Sequence, residues 1–127
     1  YIHLKQIVVD EASLSSLKNI ELVWQREQKA ILEKIDSGEY LIILDKRGKQ
    51  ISSEALAQFL QKKMTQGVRS LTFVIGGSLG FSEDFLKNAH LVLSLSKMTF
   101  PHEMAKVILL EQLYRAFSIL KGEKYHK

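Results

Sequence analysis

Three short segments carry residue types and spacings from which a binding or catalytic site could be built. The first, Gly76-Gly-Ser-Leu-Gly80, follows an apolar run and is rich in glycine, so its backbone can approach a ligand closely. It lacks the Gly-Lys-Ser/Thr ending of a phosphate-binding loop and the GxGxxG spacing of a dinucleotide fingerprint. Taken alone, a tight strand-to-helix turn explains it equally well. The second, residues 96–102, begins polar and ends in Thr99-Phe-Pro-His102. Thr99 and Pro101 suit a helix start whatever the function, and donors beside a helix N-terminus suit a carboxylate, a phosphate or an adenine edge. The third, Asp45-Lys-Arg-Gly48, reads as a polar turn after an apolar strand.

Other chemistries find little to work with. The four histidines, His3, His90, His102 and His126, show no HExxH-type spacing, and cysteine is absent, so no metal site is expected. No GxSxG elbow supports a Ser-His-Asp arrangement. His3 and His90 read as structural or surface residues. Glu111 and Arg115 lie four apart and could pair on a helix, although Arg115 could instead face a phosphate. Lys46, Arg47, Lys49, Lys62, Lys63, Arg69, Lys121 and Lys124 could follow a nucleic-acid backbone, but most such lysines are solvated surface.

The elements that must position these segments follow from periodicity and punctuation. Residues 1–9 suit a strand, residues 10–16 a polar connection. Leu17, Ile20, Trp24, Ile31, Leu32 and Ile35 mark a helix ending at Ser37-Gly38. Residues 40–44 and 71–75 are continuous apolar runs, as expected of strands covered on both faces. Between them Ser52 or Ser53 can cap a helix carrying Leu56, Phe59, Leu60 and Met64, which Gly67 is placed to end. Ser82 opens a short helix, residues 91–95 form a further strand, and Pro101 stands in the first turn of a long helix reaching Leu120, which Gly122 terminates. Strands alternating with helices predict an α/β fold with a mainly parallel sheet. Ligands in such a sheet bind where the loops at the carboxyl ends of the strands converge, and all three segments above follow strands.

The 127 residues are one domain's worth, with 46% hydrophobic and 25% charged residues, the balance of an ordinary soluble protein. No run is long enough to span a bilayer and no signal-type start is visible, so no membrane partner and a cytoplasmic setting are expected. The net charge of +4 leans mildly toward a polyanionic partner. The last helix is apolar on more than one face, through Met104, Val107, Ile108, Leu109, Leu110, Leu113, Tyr114, Phe117 and Leu120. A helix that packs only on a sheet needs one stripe, so the excess suggests burial against another subunit, with deep burial in the monomer as the competing explanation.

Phe73-Val-Ile-Gly-Gly-Ser-Leu-Gly80, Leu93-Ser-Leu-Ser-Lys-Met-Thr-Phe-Pro-His102 and the ending from Glu111-Gln-Leu-Tyr-Arg-Ala116 through Gly122-Glu-Lys-Tyr-His-Lys127 resemble the RlmH family. These are bacterial SPOUT-class methyltransferases acting on N3 of a pseudouridine in large-subunit (23S) ribosomal RNA. The resemblance covers essentially the whole chain and is densest from Leu71 onward. It implies helices on both faces of the sheet, a C-terminal trefoil knot, a homodimer whose interface includes the last helix, and the ribosome as partner. It implies S-adenosylmethionine as cofactor, held by Leu44, Gly76 and the run Leu95, Ser96, Lys97, Met98, Thr99 and Phe100. It places His102, Tyr125, His126 and Lys127 at the methyl-acceptor site, where His102 or His126 would act as base, or the tail would bind RNA only. The family's pattern opens with a further strand and helix that this sequence lacks, and Tyr1 is not Met, so a start inside a longer natural protein is expected. The competing expectations are a non-catalytic RNA- or nucleotide-binding module of the same fold, and a SPOUT enzyme for another RNA position.

Overall fold

The computed structural model describes residues 2–9, 20–77 and 80–127, and the side chains of Ile20 and Val23 lie outside this description. The proposed start of the first helix at Leu17, the connection at residues 10–16, and Ser78 and Leu79 of the glycine segment also lie outside it. The elements are β1 (His3–Val8), α1 (Ile20–Glu33), β2 (Tyr40–Lys49), α2 (Ser53–Thr65), β3 (Ser70–Ile75), α3 (Glu83–Leu86), β4 (Leu91–Leu93) and α4 (His102–Leu120). The four strands form one sheet in the order β1-β3-β2-β4, and every pair is parallel.

That order explains why helices cover both faces. The chain steps one way across the sheet from β1 to β2, back from β2 to β3, and forward again to β4. Keeping one crossover hand while the direction of travel alternates requires successive helices to lie on opposite faces. Two separate cores result. Ile42, Leu44, Leu71, Phe73 and Ile75 pack with Leu56, Ala57 and Leu60 of α2 and Leu109, Leu113 and Ala116 of α4. On the other face Leu41, Ile43 and Val74 pack with Ile31 of α1 and with Phe81 and Phe85 around α3. The two-residue alternation within β2 and β3 is what divides them. The stretches 41–44 of β2 and 71–75 of β3 are therefore buried on both faces, as their sequences suggested. Thr72, fully buried, is the polar exception in β3, and its hydroxyl donates to Glu39 at 3.0 Å.

The helix boundaries have local causes. The Ser52 side chain caps α2 by accepting from the Ala55 N–H at 3.0 Å, which settles the choice between Ser52 and Ser53. At its other end the Gly67 and Val68 N–H groups return to the Met64 and Lys63 carbonyls. Helix α4 closes with the same pair of bonds, Gly122 to Ile119 and Glu123 to Ser118, which aim the tail back along the helix. Pro101 stands at the N-cap of α4, one position before the expected first turn. Helix α1 ends at Glu33, short of Ser37-Gly38, with Lys34 and Ile35 making the tighter bonds of a final turn to Ile31 and Leu32.

The main departure from expectation is in β2. Residues 45–48, read as a turn, lie inside a ten-residue strand. Leu44 and Lys49 both register against Leu93 of β4, so residues 45–48 arch outward between two pairings with one residue. Asp45 shapes the arch by accepting from the Arg47 N–H at 2.9 Å, and the Lys49 carbonyl accepts from the Ser94 N–H at 2.9 Å where the chain rejoins. Gly48 is required there, because a Cβ would stand 2.5 Å from the Val92 carbonyl oxygen. Strand β4 correspondingly stops at Leu93, two residues earlier than its apolar pattern.

Candidate functional site

The carboxyl ends of β2, β3 and β4 open onto a cavity of about 380 Å³, within the range of small-molecule sites. The 45–48 arch forms one wall. The segment after β3 contributes Gly76, Gly77, Gly80 and Phe81, and the connection to α4 contributes a third side. Each wall follows a strand, as the parallel topology requires.

The glycine wall is a matter of close approach. A Cβ at Gly76 would stand 2.8 Å from the ring of Phe81, so this glycine lets that ring close the floor. Phe81 is itself fixed by stacking on Phe85, with centroids 5.0 Å apart. The third wall is held by short serine contacts: the Ser94 hydroxyl donates to the Ser96 carbonyl at 2.9 Å, and the Ser96 hydroxyl accepts from the Met98 N–H at 3.0 Å. Helix α4 begins against the cavity, with His102 and Ala105 among its lining residues. Pro101 provides no side-chain cap, so the partial positive end of α4 is left toward this site.

The arch supplies a charge pair at the cavity. The Asp45 side chain is 7% exposed, and Arg47 donates to its two oxygens at 2.8 Å each. Burial pushes the Asp45 carboxyl up, but the Arg47 side chain, its N–H and its charge outweigh this and hold it below the usual range. Arg47 also donates to the Phe81 carbonyl at 2.6 Å, tying the arch to the glycine wall. The pair adds no net charge to a largely apolar cavity with a few placed polar groups.

Of the residues expected at the cofactor, Leu44, Gly76, Leu95, Ser96, Met98, Thr99 and Phe100 line this one cavity, and Lys97 does not. His102 of the acceptor set lines it as well. Tyr125, His126 and Lys127 do not. The tail instead folds back on α4 and α2. Tyr125 donates to Glu111 at 2.9 Å, and Arg115 pairs with the same carboxylate at 2.7 Å while lying 4.9 Å over the Tyr125 ring. His126 stands between Arg115, at 2.9 Å from Nδ1, and Glu54, at 2.6 Å from Nε2. The bond from Arg115, then that from Tyr125, holds the Glu111 carboxyl low, and the same Glu111 contact raises Tyr125. Arg115 is thirteen residues from His102 on α4, which at 1.5 Å per residue separates the tail contacts from the cavity by about 20 Å.

Several features escaped sequence reasoning. Asp45 and Arg47 belong to the third expected segment and do line the cavity, but their pairing was not read, although a carboxylate two residues before an arginine is a usable sign of it. Trp24 reaches the cavity from α1, and nothing in its spacing separates it from an ordinary apolar position. Glu54, the partner of His126 in the first turn of α2, was not singled out from the sequence. His90 proves structural: its Nδ1 accepts from the Leu41 N–H at 2.8 Å and its ring stacks on Tyr40. Among the basic residues, Arg47 is engaged as described and Lys63 lies 4.4 Å over the Tyr40 ring. Among the described residues no cluster of His, Asp or Glu could hold a metal ion, and no helix is long and apolar enough to cross a membrane. A family model described as predicted SPOUT methyltransferase matches residues 1–126.

Proposed function

The chain belongs to the SPOUT methyltransferase family, and from that premise we propose that it methylates N3 of a pseudouridine in large-subunit ribosomal RNA, using S-adenosylmethionine, as a cytoplasmic homodimer acting on ribosomes. The observation that carries this reading is convergence: loops after three different strands bring seven of the eight expected cofactor residues to one cavity beside His102.

The cavity suits the cofactor on its own chemistry. Gly76 offers backbone without a side chain, Leu44, Leu95, Met98 and Phe100 offer apolar surface to a purine and a thioether chain, and Ser96 and Thr99 add polar groups. S-adenosylmethionine bound there would supply an electrophilic methyl group on a sulfonium. The task left to the protein is alignment, from which much of the acceleration of a displacement comes. Loss of the N3 proton needs an acceptor, and we assign that role to His102, which lines the cavity at the start of α4. Gly76, Phe81 and the Asp45–Arg47 pair keep the walls fixed, so that little reorganisation accompanies the reaction.

The distance between the tail and the cavity within one chain supports a second copy as part of the enzyme. Met104, Val107, Leu110 and Tyr114 on α4 are 52%, 64%, 47% and 57% exposed, an apolar face unexplained by the chain's own core. Pairing through that face would bury it. A C-terminal trefoil knot is part of the same proposal. Incubation with methyl-labelled S-adenosylmethionine and ribosomal particles lacking this modification tests the proposal. Label mapped to a pseudouridine of large-subunit RNA supports it. Label at another nucleotide moves the substrate, and binding without transfer makes this a non-catalytic module.

A further inference from the structure

His126 is the residue whose ring contacts join three parts of the fold: the tail, α4 through Arg115, and α2 through Glu54. Their chemistry fixes its state. A guanidinium has five donors and no acceptor, so the Arg115 contact requires a lone pair on Nδ1. The proton of the neutral ring then sits on Nε2 and donates to the Glu54 carboxylate. Both ring nitrogens are spoken for. Of the neighbouring groups, Glu111 accepts from both Arg115 and the Tyr125 hydroxyl, and Arg115 lies over the Tyr125 ring; none of these contacts involves the His126 ring.

We propose that Glu54 is a positioning residue for the C-terminal tail: together with Arg115 it holds His126 as a neutral, Nε2-protonated anchor that sets the place of Tyr125 and Lys127, and His126 is not the base of the reaction. The second half rests on the methyltransferase reading. The first half does not, and it is tested without any reaction. Glu54 is 58% exposed at its side chain and His126 24%, so the anchor is a modest one. An exposed hydrogen bond of this kind shifts an equilibrium by about two- to fivefold.

The test uses the whole chain with ring-labelled histidines. Long-range proton–nitrogen correlation spectra should show His126 with a protonated Nε2 and an unprotonated Nδ1 at neutral pH. Trypsin cleavage after Lys124, followed by mass spectrometry, should be about two- to fivefold faster in Glu54→Ala, since cleavage follows the open population of the tail. Glu54→Gln keeps an acceptor oxygen and should restore the wild-type rate. In the methyl-transfer assay Glu54→Ala should lower kcat/KM and Glu54→Gln recover it, while His126→Gln should lower kcat/KM about as much as Glu54→Ala does and keep the acidic limb of the pH profile intact. An Nδ1-protonated ring, or a Glu54→Ala tail as resistant as wild type, overturns the anchor. A His126→Gln enzyme that is inactive or has lost its acidic limb overturns the exclusion of His126 as base. Absence of methyl transfer by the wild type would strike the proposed function and leave the spectra and cleavage rates to judge the anchor alone.

Discussion

Substituting Gly48→Ala should damage stability and the cavity together. The added Cβ would stand 2.5 Å from the Val92 carbonyl oxygen and 2.6 Å from its carbon, both backbone atoms within a paired strand. An ordinary carbon–oxygen contact is ~3.3 Å, so the arch would have to withdraw by about 0.8 Å. The bond from the Ser94 N–H to the Lys49 carbonyl, 2.9 Å long, would then stretch beyond hydrogen-bonding range. Overpacking costs about 1–3 kcal/mol and a lost bond about 1 kcal/mol, giving about 2–4 kcal/mol in all. For a domain of this size that corresponds to a fall in Tm of roughly 8–16 °C. Urea and thermal unfolding measure the first effect, and calorimetric titration with S-adenosylmethionine should show weakened binding because the arch walls the cavity. Gly38→Ala is the control: nothing lies within 4 Å of its Cβ position, so its stability should change little or rise by about 0.4–1 kcal/mol. A Gly48→Ala protein destabilised by less than about 0.5 kcal/mol, or one that binds the cofactor like wild type, would refute the reasoning about the arch.

Leu60, fully buried between α2 and α4, should cost about 2–5 kcal/mol when cut to alanine, read by urea unfolding; a cost below about 1 kcal/mol would mean the interface collapses around the void. Burial raises the Glu39 carboxyl, but its bonds from Lys5 and Thr72 outweigh this and leave it below its usual value of 4.5. A depressed carboxyl stabilises the fold above that value and loses its contribution as pH falls through the lower folded value. Glu39→Gln should therefore flatten the decline in stability below about pH 4.5, and an unchanged slope would assign that decline elsewhere. Val107→Glu, on the exposed face of α4, should convert a dimer to monomer in sedimentation while leaving monomer unfolding within about 0.5 kcal/mol; a dimer that persists would move the interface off α4.

The parts of the fold that could be read directly were those where side chains decide the outcome. Residues 41–44 and 71–75, Thr72 apart, are apolar because both faces are covered, and Ser52 and Gly67 mark helix ends through bonds between near neighbours. The arch was not legible for the opposite reason. Asp45, Lys46, Arg47 and Gly48 have turn-like side chains, whereas the strand is rejoined by the Lys49 carbonyl, a backbone group common to every residue. The early end of α1 is similar: Ile35 continues the apolar pattern, but the helix stops at Glu33. At the site, the cofactor residues followed from likeness to a family rather than from spacing. The separation of Tyr125 and His126 from the cavity depends on partners such as Glu54, 72 residues away in sequence, which no local pattern signals.

The most direct test of the account is a titration of the isotopically labelled chain with S-adenosylmethionine, followed residue by residue through amide chemical shifts. The account predicts saturable changes concentrated at Leu44, the 45–48 arch, Gly76, Gly77 and residues 95–102, with Phe81 moving as its floor fills. Changes centred elsewhere, or none at cofactor concentrations that saturate related enzymes, would contradict the assignment of this cavity as the place from which the methyl group is delivered.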